Sequence, residues 1–423
     1  MNTTMQVDHL AEKIKTPTKA TILTSVFKKG LKKKLNNLID GHIKVEDGNE
    51  KFYFGDVDSD LSVNVEIHSQ EFYVMTGSGG ALGIAEAYIL GYWSADDVVL
   101  LMRILLKNRS ILVSLNNGVA KLLSPINKLI HRSRQNTLKG SKENILAHYD
   151  LSNDFYKLWL DPTMTYSCAY FNNFDMNLED ASIEKLDRIC RKLNLSDKDD
   201  VLEIGTGWGS FSIHAAKNYG CNITTTTISD AQYEYARSRV IEEGLESKIS
   251  VINKDYRKID GQYDKIVSIE MIEAVGHEFI PEYFKKISSL LKPNGLMALQ
   301  GITYNDQNFD TYKDSVDFIK KYIFPGSCLI SVSQIIHVIK DKTDLSMIDM
   351  EDITRHYAET LNRWRKKFMD VLPEVREMGY SELFINMWEF YFLYCEAGFL
   401  ERNIGDVQLV FAKSGARDIE VEY

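Results

Sequence analysis

Between residues 200 and 302, short apolar runs alternate with segments whose apolar positions recur at helical spacing. The runs Asp200–Ile204, Asn222–Thr227, Ile249–Asn253, Tyr263–Ile269 and Leu296–Ile302 predict strands. Ser210–Asn218, Asp230–Glu243 and Ile280–Leu291 predict the helices between them. Alternation of this kind builds an α/β fold with a doubly wound parallel sheet. Ahead of it, Lys51–Val74 alternates with the period of a half-buried strand, most clearly over Leu61–Ile67. Gly77 to Gly80 are expected to break that pattern, with helices following at Leu82–Gly91 and Asp96–Lys107, the second capped by Ser94. Residues 1–40 read as a basic helical arm, with Lys28, Lys29, Lys32, Lys33 and Lys34 around Leu31 and Leu35. The expected organisation is a small α+β front domain over residues 1–125 and a larger body over 126–423.

Composition narrows the class. A 423-residue chain with 44% hydrophobic residues and 7 prolines has the material for a large core and no low-complexity tract. No apolar run approaches the ~20 residues that span a bilayer, and Met1 to Gln6 lack a signal peptide's apolar core, so a cytoplasmic location is expected. Cys168, Cys190, Cys221, Cys328 and Cys395 are scattered without a Cys-x-x-Cys, which predicts neither a disulfide framework nor a zinc site. The net charge of -10 argues against nucleic acid as the main partner. Charge is nevertheless segregated, since residues 101–146 carry 9 basic groups and 1 acidic one. Arg103, Lys107 and Arg109, with Lys121, Lys128, Arg132, Arg134 and Lys139, lie among leucines and isoleucines. That pattern suits either an amphipathic surface for anionic lipid headgroups or a basic linker docked on an acidic body.

The chemistry concentrates at Val201-Leu202-Glu203-Ile204-Gly205-Thr206-Gly207-Trp208-Gly209-Ser210. An apolar strand runs through an acid into three glycines and a helix, which presents bare backbone to a nucleoside cofactor at the strand's carboxyl end. The spacing is Gly-x-Gly-x-Gly, neither a dinucleotide fingerprint nor a phosphate loop. It favours S-adenosylmethionine (SAM), which has no phosphate, over a dinucleotide. Thr225-Thr226-Thr227-Ile228-Ser229-Asp230 ends the second strand with hydroxyls where a ribose-binding acid is usual; Ser229 and Asp230 alone read as a helix N-cap.

Further segments carry a resemblance. His148 to Phe155, Leu160 to Phe171 through Tyr166-Ser167-Cys168, the glycine turn, Thr227-Ile228-Ser229, Ile269-Glu270-Met271-Ile272-Glu273 with Gly276, and Lys321 to Gly326 resemble cyclopropane fatty acid synthases and their mycolic-acid relatives. Leu82 to Tyr88 and Gly91-Tyr92-Trp93 are similar to the lipid-engaging front domain of the longer bacterial members, so the likeness spans residues 77–414. It implies a Rossmann-like class I SAM-dependent methyltransferase domain, with a lipid-pocket insertion around residues 303–400 and a smaller lipid-engaging N-terminal domain. It also implies an enzyme that methylates the cis double bond of a phospholipid acyl chain at the membrane surface and closes a cyclopropane ring, working as a homodimer.

The base that the resemblance implies is a bound bicarbonate held by a cysteine, a glutamate, a histidine and a tyrosine. Cys168, Glu273 and Tyr357 match three of these, and Gln300 stands where the histidine is expected. An amide donates a hydrogen bond but carries no charge, so a changed product, methylene- or methyl-branched, is the alternative outcome. A non-catalytic protein that binds lipid and SAM is a further one. Without the resemblance Cys168 reads as a buried small hydrophobe, Glu273 as a helix cap and Tyr357 as core. The cofactor positions carried over are Tyr149, Tyr166, Ser167, Glu203, Gly205, Gly207, Thr227, Ile228, Ser229, Gln232, Asp255 and Tyr256. His277 and Glu278, adjacent on one segment, cannot both face one ion, and no metal is expected.

Overall fold

The structure is a computed structural model that describes residues 20–116, 151–417 and 419–422. The chain divides into two compact units, the first built from residues 1–133, 315–325 and 368–403 and the second from 134–314, 326–367 and 404–423. The insertion expected around 303–400 is therefore shared between the units, and the boundary expected near residue 125 lies outside the described residues.

The first unit carries a four-stranded sheet of β1 (His42–Asp47), β2 (Glu50–Gly55), β3 (Ser62–Ile67) and β4 (Trp93–Ala95), in the order β2-β1-β3-β4. β1 pairs antiparallel with β2 and parallel with β3. The alternation read from the sequence is realised in β3, where Val63, Val65 and Ile67 point inward. Helices Ala20–Leu35 and Glu71–Ile89 accompany this sheet, and Leu35, Val45, Phe54, Val65, Ile67 and Trp93 help line an apolar pocket of about 60 Å³.

Two expectations need correction here. Gly77 to Gly80 do not end a strand; they lie inside Glu71–Ile89, which kinks at Gly80, where φ is 60°. The helix thus starts eleven residues before the expected Leu82, because a glycine in the left-handed region bends it without stopping it. The cap of helix Val98–Lys107 is Asp97, whose side chain accepts from the Leu100 amide at 2.8 Å. Ser94 instead lies in β4, with its hydroxyl 2.7 Å from His68 Nε2.

The basic surface was left open between two readings, and three of its cations have partners within the unit. Arg103 Nε donates to Glu401 Oε1 at 2.7 Å, Lys107 Nζ lies 3.2 Å from Glu401 Oε2, and Arg109 donates to Asn403 at 2.6 Å. These cations hold the end of helix Glu382–Leu400, an almost wholly apolar helix of the same unit. The remaining basic positions, Lys121 to Lys139, lie outside the described residues.

The second unit is a seven-stranded sheet of β5 (Asp200–Ile204), β6 (Asn222–Thr227), β7 (Ile249–Asn253), β8 (Tyr263–Ile269), β9 (Leu291–Tyr304), β10 (Leu345–Asp352) and β11 (Ile404–Lys413). The order is β10-β11-β9-β8-β5-β6-β7, parallel from β7 to β9 and antiparallel at β11 and β10. Successive residues of a strand feed opposite cores. Leu202, Ile266 and Met297 pack with Phe284 and Ile287 of helix Ile280–Leu290, while Val201, Val267 and Ala298 pack with Ile189 and Phe211 of helices Leu178–Lys192 and Ser210–Tyr219. Both faces are covered, as a doubly wound sheet requires. From β5 the chain winds outward to β7 and then returns to β8, so the carboxyl ends of β5 and β8 flank a topological switch point.

Because Arg103 and Lys107 share Glu401, the substitution Glu401→Ala should lower the stability of the protein by about 1 kcal/mol, read as an earlier midpoint in urea. An unchanged midpoint would return these cations to the lipid-facing reading.

Candidate active site

The turn after β5 takes the form that its glycines allow. Gly205, Gly207 and Gly209 have φ of 100°, 51° and 87°, which other residues adopt only at a cost. The amides of Gly205 and Thr206 donate to the Thr226 carbonyl of β6 at 3.0 and 3.1 Å, fixing the turn on its neighbouring strand. A Cβ added at Gly207 would meet nothing within 4 Å, so the backbone there faces open space. Such bare backbone, with no lysine beside it, fits a cofactor without phosphates. Glu203 is buried behind the turn, accepting from Ser212 and, at 2.6 Å, from the Thr225 hydroxyl. Burial pushes its carboxyl up to about 7.

The other cofactor candidates gather at the carboxyl ends of β6 and β7. Ser229 caps helix Asp230–Glu242 by accepting from Gln232 N, as its alternative reading had it, and the Thr227 hydroxyl donates to Gln232 Oε1 at 3.0 Å. Arg257 donates to both carboxylate oxygens of Asp255, at 2.9 and 2.7 Å, which leaves Asp255 less free to receive an adenine than the sequence suggested. Ile228 lies between Thr227 and Ser229, and Tyr256 stands edge-on to Tyr283. Tyr149 lies outside the described residues. Ser167 accepts from the buried Lys185 at 2.7 Å. Tyr166 packs between Tyr156, whose ring is 5.4 Å away, and Trp364, at 5.3 Å.

Cys168, Gln300 and Tyr357 do converge, and the group on which they converge is Glu270. Its Oε1 accepts from the Cys168 backbone amide and from Gln300 Nε2, both at 2.8 Å, and its Oε2 accepts from the Tyr357 hydroxyl at 2.6 Å. Register explains the meeting. Ile269 of β8 pairs with Gln300 of β9, Gln300 pairs with Gln408 of β11, and the Glu270 amide donates to the Gln300 carbonyl at 2.9 Å. Glu270 has a φ of 47°, a strained conformation for a non-glycine that turns its carboxylate back over the strand ends. The strain costs on the order of 1–3 kcal/mol, and three hydrogen bonds to a carboxylate, each worth about 1.5–3 kcal/mol, outweigh it.

Behind Glu270 the cluster is sealed. Gln300 Nε2 also donates to Asp406 at 3.2 Å, and Gln408 donates to Gln300 Oε1 at 3.1 Å. Asp406, Gln300 and Gln408 are almost wholly buried, whereas Glu270 stays partly accessible. Glu273 has a different partner: its Oε1 accepts from the Ile302 amide at 2.5 Å and its Oε2 is buried without a partner. Burial, and then the charge of Glu270, push Glu273 up to about 8. Burial and the neighbouring acids push Asp406 and the Cys168 thiol well up, while donors on Glu270 restrain its rise. Glu270 has three donors on its carboxylate, whereas Asp406 takes the Gln300 amide with its Oδ2 and has an Oδ1 buried without a partner. Burial pushes Lys185 down, and the nearby Glu270 opposes that most strongly.

The donors assigned to bicarbonate by resemblance are thus engaged by a carboxylate of the chain itself. A second anion about 4 Å from Glu270 would be repelled by about 4 kcal/mol even at an effective dielectric constant of ~20. The residues present do not fit bicarbonate. Glu270, Asp406, Gln408 and Lys185 had been given no role from the sequence. Lys185 had a signal, since it interrupts the buried stripe Ala181, Ser182, Leu186 and Ile189 of its helix. Glu270 had only its place at the end of an apolar strand.

Comparison with known proteins identifies the family. The chain matches the sequence profile of the mycolic acid cyclopropane synthetase family over residues 136–409. It is 36% identical over 347 residues to the tuberculostearic acid methyltransferase UfaA1 of Mycobacterium tuberculosis, covering 80% of each chain. It is 32% identical over 369 residues to the cyclopropane-fatty-acyl-phospholipid synthase of Escherichia coli, covering 86% of this chain and 92% of that one. Among solved structures, the mycolic acid cyclopropane synthase CmaA1 complexed with SAH and CTAB superposes with a TM-score of 0.60 at 30% identity, covering 64% of this chain and 98% of that one. Among the described residues no helix is long and apolar enough to cross a membrane. The sheet order, the glycine turn and these matches together make the chain a member of the cyclopropane synthase family, an enzyme of the SAM-dependent methyltransferase type.

Proposed function

We propose that this protein transfers the methyl group of SAM to the cis double bond of an unsaturated phospholipid acyl chain at a membrane surface, and that loss of a proton then closes a cyclopropane ring. The observation that carries this reading is a continuous run of aromatic rings. Trp208 of the glycine turn lies 5.0 Å from Tyr156, Tyr156 lies 5.4 Å from Tyr166, Tyr166 lies 5.3 Å from Trp364, and Trp364 stands 6.2 Å from Tyr357 on Glu270. Packed rings thus connect the glycine turn to the carboxylate cluster. Ring faces stabilise a carbocation by about 2 kcal/mol or more when desolvated, and a dry wall protects it from water.

Bound SAM supplies an electrophilic methyl group on sulfur. Gly205 and Gly207 would hold its methionine end, with Tyr166 and Ser167 beside the sulfonium; Thr227, Ile228, Ser229 and Gln232 would surround the ribose, and Asp255 and Tyr256 the adenine. A second outcome, a methylene-branched chain, is favoured by one observation: an uncharged Gln300 meets Glu270 where a histidine is expected. The relative UfaA1, named as a tuberculostearic acid methyltransferase, points the same way.

Mass spectrometry of phospholipids incubated with the protein and SAM should show a gain of one CH2. Loss of alkene reactivity marks the cyclopropane and survival of an alkene marks the methylene branch; an unchanged lipid would refute both. Substituting Gly207→Val fills the open space over the turn and should weaken SAM binding by roughly tenfold or more; an unaltered titration would place the cofactor elsewhere. Glu273 is raised from 4.5 to about 8 in the folded state. Between those values the folded state holds the extra proton, so this group removes about 1.4 kcal/mol of stability per pH unit as pH rises. Glu273→Gln keeps an acceptor for Ile302 and should give a shallower decline in stability from pH 5 to 8; an identical slope would show that Glu273 titrates normally.

A further inference from the structure

Three features set Glu270 apart from every other acid in the second unit. Its two oxygens take the Cys168 amide, the Gln300 amide group and the Tyr357 hydroxyl, at three of the four positions that the resemblance gives to bicarbonate. Its backbone is held at a φ of 47° to aim it there. It keeps partial access while Asp406, Gln300 and Gln408 behind it are sealed. A carboxylate offers about four acceptor positions; three are filled, and one is left for a proton.

We propose that Glu270 is a base built into the chain at the place where the resemblance puts bicarbonate, and that it takes the proton released from the alkylated acyl chain. The inference rests on the reading of the protein as an acyl-chain methyltransferase. In the step, the alkene's π pair forms a bond to the methyl carbon while the carbon–sulfur pair leaves on sulfur, so the positive charge moves from sulfur to the acyl chain. For ring closure a C–H bond of the transferred methyl breaks and its electron pair bonds that carbon to the cationic centre; for the methylene branch a 1,2-hydride shift first brings the charge to the methyl-bearing carbon, and the pair of a methyl C–H bond then forms the double bond. In either case the proton passes to Glu270, which becomes a neutral acid. Nothing is oxidised or reduced. Gln300 and Tyr357 are positioning residues for this carboxylate, and Lys185 is its buried counter-charge. A neutral amide at position 300 suits a site whose anion is covalently attached, because no cation is needed there to recruit one.

The test uses the full chain, SAM labelled in its methyl group and vesicles of unsaturated phospholipid, in buffer stripped of carbon dioxide and then supplemented with bicarbonate. The parent protein should methylate lipid at the same rate in both. Glu270→Ala should bind SAM as the parent does and lose turnover by about a hundredfold or more; partial recovery on adding bicarbonate or formate supports a vacated carboxylate site. Glu270→Gln, which preserves volume, gives the same reading if the alanine variant does not fold. A parent enzyme that loses about tenfold or more of its rate without bicarbonate and regains it on addition would overturn the inference, as would full activity in either variant. No labelled lipid from the parent under any condition would instead overturn the methyltransferase reading on which the inference rests.

Discussion

A carboxylate kept charged away from bulk water must be surrounded by donors, or it takes up a proton. Glu270 meets that condition with groups drawn from four separate parts of the chain. The Cys168 amide comes from the loop after Tyr166-Ser167, Gln300 from β9, Tyr357 from helix Thr354–Asp370 and the opposing charge of Lys185 from helix Leu178–Lys192. β11 then has to be in register for Gln408 to hold Gln300 in its donating orientation. The strained backbone at Glu270 persists because these partners over-determine it.

The second unit thereby assigns different work to the two sides of its switch point. On the side of β5, β6 and β7, positive-φ glycines and short polar side chains leave backbone and hydroxyls at the strand ends, which suits a nucleoside. On the side of β8, β9 and β11, acids and amides are packed into one network with only Glu270 left within reach. Aromatic rings join the two sides. The division follows from the topology, because ligands collect where parallel strands on either side of a switch point part.

Much of this was legible in the chain. The five parallel strands and the helices Ser210–Tyr219, Asp230–Glu242 and Ile280–Leu290 fall within a residue or two of their expected starts, apart from β9, which begins five residues early. They are short apolar runs bounded by glycines or caps, so local pattern suffices to locate them. The kink at Gly80 was misread because a helix that bends and a helix that starts carry the same glycine signal, and the cap at Asp97 because Ser94, three residues earlier, is also a capping residue type. β10 and β11 went unread because β11 follows an apolar helix and completes the sheet from residues far along the chain. Arg103, Lys107 and Arg109 show a similar limit. An amphipathic basic pattern says that cations will be presented on one face, and the fold determines that Glu401 and Asn403 meet them.

At the site the same line can be drawn residue by residue. The sequence alone determined the glycine turn, because only glycine takes those backbone angles cheaply, and it determined that Cys168, Gln300 and Tyr357 belong together through the family they resemble. It could not place Glu270 among them. Glu270 and Glu273 are three residues apart on one short segment, and composition and spacing treat them alike. Their difference lies in a single positive φ and in the register of β8, β9 and β11, which point one acid at three donors and leave an oxygen of the other buried without a partner. Those are long-range hydrogen-bonding constraints, satisfied only when the sheet is assembled, and so only the tertiary structure decided which carboxylate stands at the centre of the site.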